Sequence, residues 1–137
     1  MNYTPEFFKP SEFVCPCCGR GRVTSLLVLW LDLLRRAWRE PIAVNSGWRC
    51  APHNAEVGGA ERSRHLIGCA ADIRPVPLER GRTLSKEDFA EFCDLTRHFC
   101  GLPGWELRFY NTFIHVAVPR DEAGWLWNGG AVALACR

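Results

Sequence analysis

The segment from residue 63 to residue 72 restricts this chain more than any other part of its sequence. It reads Ser-Arg-His-Leu-Ile-Gly-Cys-Ala-Ala-Asp, so His65 and Asp72 stand seven positions apart. Three of the residues between them are small, which leaves room for the imidazole and the carboxylate to converge where an apolar strand begins. Neutral imidazole and carboxylate are both common ligands of zinc. The segment therefore predicts two ligands of a metal ion.

A third ligand is available in a later apolar run. Residues 112–118 alternate in the manner of a half-buried strand, with His115 on one face. Two imidazoles and one carboxylate leave a coordination position open for water, as in hydrolytic zinc sites. The competing interpretations are a buried His-Asp pair without metal and an ordinary half-buried strand histidine. The other candidate ligands are His53 and His98.

These patterns together resemble the zinc D-alanyl-D-alanine carboxypeptidase family. Its relatives are the D-Ala-D-Ala dipeptidases, the phage L-alanyl-D-glutamate endolysins and the hedgehog-type fold. The resemblance rests on the pattern Ser-x-His-x-x-Gly-x-Ala-x-Asp at residues 63–72, on the late strand histidine, and on Ser-Gly-Trp-Arg at residues 46–49. It extends from about Phe7 to Val118, which is most of the chain.

The resemblance implies a zinc metallopeptidase that cleaves peptidoglycan stem peptides, either at the terminal D-Ala-D-Ala or at an internal L-Ala-D-Glu bond. One catalytic Zn²⁺ would be held by His65, Asp72 and His115. Arg49 would project into the cleft, where a guanidinium stabilises an oxyanion or holds a substrate carboxylate; the alternative is a solvated surface arginine. Ser63 would donate a hydrogen bond either to the substrate or to a residue that ligates the metal. Its alternative role is to cap the loop.

A hairpin is predicted over residues 105–118, turned by Asn-Thr at positions 111–112. With a two-residue turn, Arg108 lies opposite His115, and Glu106 lies one step further along the same face. The prediction places one carboxylate of the hairpin beside the last metal ligand.

Peptide hydrolysis also needs a general base that takes a proton from water and passes it to the leaving amine. Family members often have a glutamate shortly before the last histidine, but this chain has Thr112 three positions before it. Glu106 is the hairpin's only carboxylate, and we predict that it is the base. Its alternative role is a salt bridge with Arg108, in which case Asp121 or Glu122 are the remaining candidates.

The remaining pattern predicts one α+β domain over residues 1–137, a small antiparallel sheet with helices on one side. An N-terminal arm with a cysteine-rich turn, residues 1–22, docks its aromatic residues on the body. A C-terminal tail, residues 119–137, packs back on the core through Trp125 and Trp127. The arm residues expected to dock are Phe7, Phe8 and Phe13.

Two helices are predicted. The first begins at a cap on Thr24 or Ser25 and runs to about Arg39, with Asp32 off its apolar stripe. The second runs from Lys86 to about Phe99 after a Ser-x-x-Asp capping box. The apolar stripe of the first helix consists of Leu27, Leu31, Leu34 and Trp38.

Eight cysteines are many for a chain of 137 residues. The turn Cys15-Pro-Cys17-Cys18-Gly resembles half of a zinc knuckle, but a second pair with matching spacing is missing. Buried or pairable thiols are therefore favoured over a second, structural ion at Cys15, Cys17 and Cys18. Cys93 and Cys100 share a face only if their helix persists. The cysteines without an evident partner are Cys50, Cys69 and Cys136.

The net charge of +2 comes from scattered residues, which argues against nucleic acid as a partner. No apolar run is long enough to span a membrane, and no secretory signal begins the sequence. We expect a monomer that acts on the cell wall, while its compartment stays open: the chain is intracellular, exported by another route such as that of a phage-type lysin, or already trimmed. The rival hypotheses are a catalytically silent zinc-binding module that recognises cell wall or protein, and a disulfide-stapled phage structural protein without metal.

Overall fold

Four antiparallel strands in the order β1-β2-β4-β3 form the sheet of this protein. The computed structural model describes residues 5–79, 81–99 and 103–120. The α+β class with a small antiparallel sheet is confirmed. Its elements are α1 Ser25–Trp38, β1 Ile42–Ser46, α2 Ala51–Glu56, β2 Ala70–Pro75, α3 Lys86–Phe99, β3 Glu106–Phe109 and β4 Ile114–Ala117, with short 3-10 turns at Pro10–Phe13 and Arg64–Ile67.

Side chains of the two central strands point alternately into the core and toward the opposite face of the sheet. Ile73 of β2 and Ile114 of β4 are fully buried in one cluster with residues of α1 and α3. Successive side chains of a strand point to opposite faces, so Asp72 and His115 point away from that cluster. The predicted coverage of one face by helices therefore leaves the other face for the predicted metal ligands.

Helix α1 begins as predicted and ends one residue early. The hydroxyl of Thr24 accepts a hydrogen bond from the backbone N–H of Leu27 at 3.2 Å. After Trp38 the chain reverses at Arg39, whose φ of 71° lies in the left-handed region. That conformation removes Arg39 from the helix and brings the chain to β1.

Asp32, which the sequence places off the apolar stripe of α1, is nonetheless shielded from solvent. Its side chain is buried and accepts hydrogen bonds from the backbone N–H groups of Glu6 and Phe7, at 2.8 and 3.1 Å. The N-terminal arm covers this side of α1, and Phe8 and Phe13 are buried in the core, as the aromatic pattern of the arm indicated. The arm thus buries a carboxylate that lies off the apolar stripe, and the carboxylate in turn binds the backbone of the arm.

Replacing Thr24 by alanine is expected to lower the free energy of unfolding by about 1 kcal/mol, because the first turn of α1 loses its side-chain cap. Denaturant unfolding of the two proteins measures this difference. Thr24→Ser keeps the hydroxyl and should retain most of the stability. Equal losses in the alanine and serine variants would show that packing of the methyl group, and not capping, stabilises this position.

Helix α3 and the hairpin follow the predicted pattern closely. Ser85 and Asp88 form the reciprocal capping box: the Asp88 N–H donates to Ser85 Oγ with an N to O distance of 3.0 Å, and the Ser85 N–H donates to Asp88 Oδ2 with one of 3.3 Å. In the hairpin Arg108 pairs with His115 and Glu106 with Ala117, which is the predicted register. None of the helices in the part of the chain described has the length and apolar character of a membrane span. The predictions that fall outside the described residues concern Cys100, Asp121, Glu122, Trp125, Trp127 and Cys136.

Candidate metal centre

Three elements bring His65, Asp72 and His115 together. His65 lies in the 3-10 turn before β2, where the Ser63 hydroxyl accepts a hydrogen bond from the backbone N–H of His65 at 3.2 Å. Ser63 thus caps the turn, and it also lines the cleft. Asp72 and His115 are directly paired across β2 and β4. The sheet register therefore places one carboxylate and one imidazole side by side, with the turn presenting the second imidazole.

The ligand atoms of the three side chains converge within 4.8 Å of one another. Asp72 Oδ1 is 2.9 Å from His115 Nδ1 and 3.3 Å from His65 Nε2. The side chains of Asp72 and His115 are each 11% exposed, and that of His65 is 2% exposed. The cluster is therefore shielded on most sides and open on one.

The contacts of His65 leave one ring nitrogen directed toward the other two groups. Its Nδ1 is 2.7 Å from the carbonyl oxygen of Gly47, which can only accept, so Nδ1 donates to that carbonyl. The other ring nitrogen, Nε2, is buried without a hydrogen-bond partner and lies 3.3 Å from Asp72 Oδ1. A divalent ion such as zinc, which takes nitrogen and carboxylate ligands, would give this buried nitrogen a partner.

The protonation states of the other two ligands follow from the same contacts. Burial raises the pKa of Asp72, but its contacts with the imidazoles of His115 and His65 outweigh burial and hold the pKa well below its usual range. Burial lowers the pKa of His115, but hydrogen bonds with Asp72 and Glu106 outweigh it and raise the pKa. Asp72 is thus a carboxylate, and His115 readily holds a proton when no metal is bound.

Metal affinity is expected to fall on acidification, because zinc must displace the proton from His115. The pKa of His115 is raised above its ordinary value, so the loss begins at a higher pH than it would for an ordinary histidine ligand. Below that pKa the dissociation constant should increase about tenfold per pH unit, the slope for one competing proton. Competition with a chromophoric chelator at several pH values measures it. A pH-independent affinity down to the ordinary histidine range would contradict this protonation state of His115.

Glu106 adjoins the outer side of His115. Its Oε1 is 3.1 Å from His115 Nε2, while its Oε2 lies 3.6 Å from Arg108 and 3.9 Å from Arg64. Burial raises the pKa of Glu106, but the hydrogen bond to His115 and the charge of Arg64 outweigh it and lower the pKa. The carboxylate is therefore ionised at neutral pH, next to a metal ligand, and it also makes the contact with Arg108 that was its alternative role.

Arg49 lies in the cleft and not in open solvent, since its side chain is only 15% exposed. Its guanidinium donates to Ser46 Oγ at 3.1 Å, to Asn54 Oδ1 at 3.3 Å and to Asp72 Oδ2 at 3.3 Å. Sequence reasoning assigned no role to Asn54, which is buried and whose amide also donates to the carbonyl of Ala60. The glycine at position 59 is the trace that Asn54 leaves in the sequence, because a Cβ there would stand only 2.1 Å from Asn54 Oδ1.

The cleft above the three ligands has a volume of about 500 Å³ and a strongly basic wall. Positive charge is scattered along the sequence, but the fold collects these side chains from separate segments. The carboxylates of the cleft among the described residues are Asp72 and Glu106. Its guanidinium groups are those of Arg49, Arg62, Arg64, Arg108 and Arg120.

The two remaining histidine candidates lie away from the three-ligand cluster. His98 is exposed on α3, where its Nδ1 contacts the backbone carbonyl of Asp94 at 2.7 Å. His53 belongs to α2 and is not among the described groups whose ligand atoms converge. Neither is placed to complete the centre.

Two imidazoles and a carboxylate lie at the floor of a cleft, on the open face of a small sheet, and could hold one metal ion with the ligand set found in hydrolytic zinc sites. Residues 6–117 match the family model Peptidase M15, so the chain belongs to the Peptidase M15 family. Over 55 residues the chain is 44% identical to the zinc D-Ala-D-Ala carboxypeptidase of Streptomyces albus G. That match covers 39% of this chain and 22% of the relative, so it spans about a fifth of the relative's length.

Proposed function

We propose that this protein is a zinc-dependent peptidase that hydrolyses a peptide bond in peptidoglycan stem peptides. The observation that carries the proposal is the convergence of His65, Asp72 and His115, in which the buried Nε2 of His65 has no hydrogen-bond partner and lies 3.3 Å from Asp72 Oδ1. The Streptomyces albus G relative is by name a zinc carboxypeptidase, and the nitrogen and oxygen donors of this site suit zinc. The family membership supports peptide-bond hydrolysis.

Glu106 would serve as the general base. A zinc ion bound by His65, Asp72 and His115 would lower the pKa of water and polarise the scissile carbonyl. Glu106 is held ionised beside His115 and would take the proton of the attacking water, then pass it to the leaving amine. Arg64 and Arg108 contact its other oxygen and restrain its orientation.

Arg49 would hold the substrate carbonyl or carboxylate. Its guanidinium is fixed by Ser46, Asn54 and Asp72, so it loses little conformational freedom when a ligand arrives. A fixed guanidinium stabilises charge that develops on a carbonyl oxygen more than a mobile one does. Ser63 at the cleft wall is a further hydrogen-bonding group for the peptide.

The substrate class is supported by the charge of the cleft. Five arginines line it against two carboxylates, which favours a peptide that carries free carboxylates. Stem peptides carry such groups both at their D-alanine end and at their glutamate residue. The terminal D-Ala-D-Ala bond and the internal L-Ala-D-Glu bond are therefore both candidates, and product analysis distinguishes them.

Replacing Arg49 by lysine is expected to lower kcat/KM by about 10²-fold, since one stabilising donor to the developing oxyanion is lost. Zinc content should stay unchanged, because Arg49 contacts Asp72 Oδ2, whereas Asp72 Oδ1 is the oxygen that faces the two imidazoles. Steady-state kinetics and metal analysis of the variant test this. Arg97→Lys on the exposed side of α3 is the matched control, and equal kinetics of the two variants would remove Arg49 from the site.

The experiment that tests the function is digestion of defined muropeptides followed by mass spectrometry of the products. Zinc-loaded protein should release either D-alanine or a fragment cut at L-Ala-D-Glu, and a chelator should stop the release until zinc is returned. Tight zinc binding without any product would contradict the peptidase proposal and favour a silent recognition module of the same fold.

A further inference from the structure

Four cysteines from two distant segments meet next to Arg49. Three of them, Cys15, Cys17 and Cys18, lie in the N-terminal turn, and the fourth, Cys50, immediately precedes α2. Their sulfur atoms all lie within 4.8 Å of one another. The sequence offered no partner for Cys50 and no second pair for the turn, and the fold brings the two together across 33 to 35 residues.

The sulfur separations within this cluster are too long for disulfide bonds and approach those of thiolates that share an ion. Cys50 Sγ is 3.6 Å from Cys15 Sγ and 3.3 Å from Cys17 Sγ. A disulfide would require about 2.05 Å. Thiolates bound tetrahedrally at about 2.3 Å from zinc stand about 3.8 Å apart. The observed separations are much closer to the second value than to the first.

The backbone of the N-terminal turn directs the thiols toward Cys50. Cys15 N–H donates to the carbonyl of Arg20 at 2.6 Å, and Gly19 N–H donates to the carbonyl of Cys15 at 2.7 Å. Gly19 has a φ of +70°, which suits glycine in so tight a turn. The backbone N–H groups of Cys17 and Cys50 donate to the Cys15 sulfur. Such donors stabilise a thiolate.

Burial around the cluster is uneven in a way that suits a metal site. Cys15 and Cys50 are fully buried against Trp48, whereas Cys17 is exposed. A bound ion would thus be enclosed by protein on one side and reached from solvent on the other. Zinc accepts such soft sulfur ligands in structural sites.

We propose that Cys15, Cys17 and Cys50 hold a structural zinc ion through their thiolates, as a second metal site apart from the centre at His65. Cys18 is disulfide-bonded, so its sulfur is available as a fourth ligand only after reduction, and water takes that position otherwise. Binding releases the protons of the three thiols to solvent and requires no oxidant or reductant.

The proposed ion would tie the N-terminal turn to the segment that supports the hydrolytic centre. Within that segment the Gly47 carbonyl accepts from His65 Nδ1, and the Arg49 guanidinium reaches Asp72. Trp48 between them donates from its indole nitrogen to the Leu66 carbonyl at 2.8 Å. The thiolate-bound ion would therefore stabilise the segment that orients His65 and Asp72 at the hydrolytic centre.

Metal analysis of the full chain, purified under reducing conditions with zinc, tests the proposal. The wild-type protein should hold two zinc ions, Cys50→Ser one, and Cys93→Ser two, because Cys93 is a buried thiol outside the cluster. His65→Ala should retain the thiolate-bound ion. A zinc content that does not change in Cys50→Ser would overturn the proposal, whatever happens at His65.

Cobalt substitution keeps the test independent of whether a variant folds. The wild-type protein loaded with Co²⁺ should show intense sulfur-to-cobalt charge-transfer absorption, which nitrogen and oxygen ligands do not produce. Cys17→Ser, at an exposed position, should weaken that absorption, while His65→Ala should leave it unchanged. Absence of the absorption in the wild-type protein would overturn the proposal, and since hydrolysis is not measured, that result would leave the peptidase function unaffected.

Discussion

Replacing His65 by alanine is expected to remove the hydrolytic zinc and to lower kcat/KM by at least about 10³-fold. The ion is the Lewis acid of the proposed reaction, and loss of several kcal/mol of transition-state stabilisation corresponds to a loss of this size. His65 supplies the one ligand nitrogen of the described centre that is buried and has no hydrogen-bond partner. Metal analysis and muropeptide hydrolysis, measured on the same samples, test this directly.

The variant also leaves the Gly47 carbonyl without its hydrogen bond, which should cost about 1–3 kcal/mol of stability. Circular dichroism at the assay temperature must therefore show that the variant is folded. His98→Ala, at an exposed position on α3, is the control and should keep zinc and activity. A folded His65→Ala protein with wild-type zinc content and hydrolysis would rule out the proposed centre.

Replacing Glu106 by glutamine is expected to lower kcat by about 10²–10⁴-fold, the usual contribution of a general base. The amide keeps the shape of the side chain, and its oxygen can still accept from His115 Nε2. Zinc should therefore remain bound, which separates this result from that of the His65 variant. Single-turnover hydrolysis with zinc-loaded protein measures the chemical step.

Glu87→Gln on the exposed side of α3 controls for the change in net charge. Full hydrolysis by Glu106→Gln would assign the base to another group and leave Glu106 as the partner that orients His115. Loss of zinc together with activity would contradict the expectation that zinc stays bound and would show that Glu106 supports His115 as a ligand.

Local signals in the sequence predicted the elements that position the site. The start of α3 follows from a capping box at Ser85 and Asp88, which depends on neighbouring residues only. The pairing of Arg108 with His115 follows from the length of one turn, because a two-residue connection fixes the register of a hairpin. The juxtaposition of Asp72 with His115 across β2 and β4 required the family resemblance, since periodicity does not specify which strands are neighbours.

Contacts between distant segments account for what sequence reasoning did not find. Asp32 is buried because the N-terminal arm docks on it, and its helical position gives no sign of that arm. Asn54 supports Arg49 from a short helix whose location depends on the whole fold. Cys50 joins the N-terminal turn only once β1 has placed it there. In each case the deciding partner lies outside the local pattern.

Anomalous diffraction at the zinc absorption edge, from crystals grown with zinc, is the most direct test of the metal centre. We predict a peak at about 2.0–2.2 Å from His65 Nε2, from a carboxylate oxygen of Asp72 and from a ring nitrogen of His115. Ordered density for these three side chains with no anomalous scatterer between them would contradict the proposed centre.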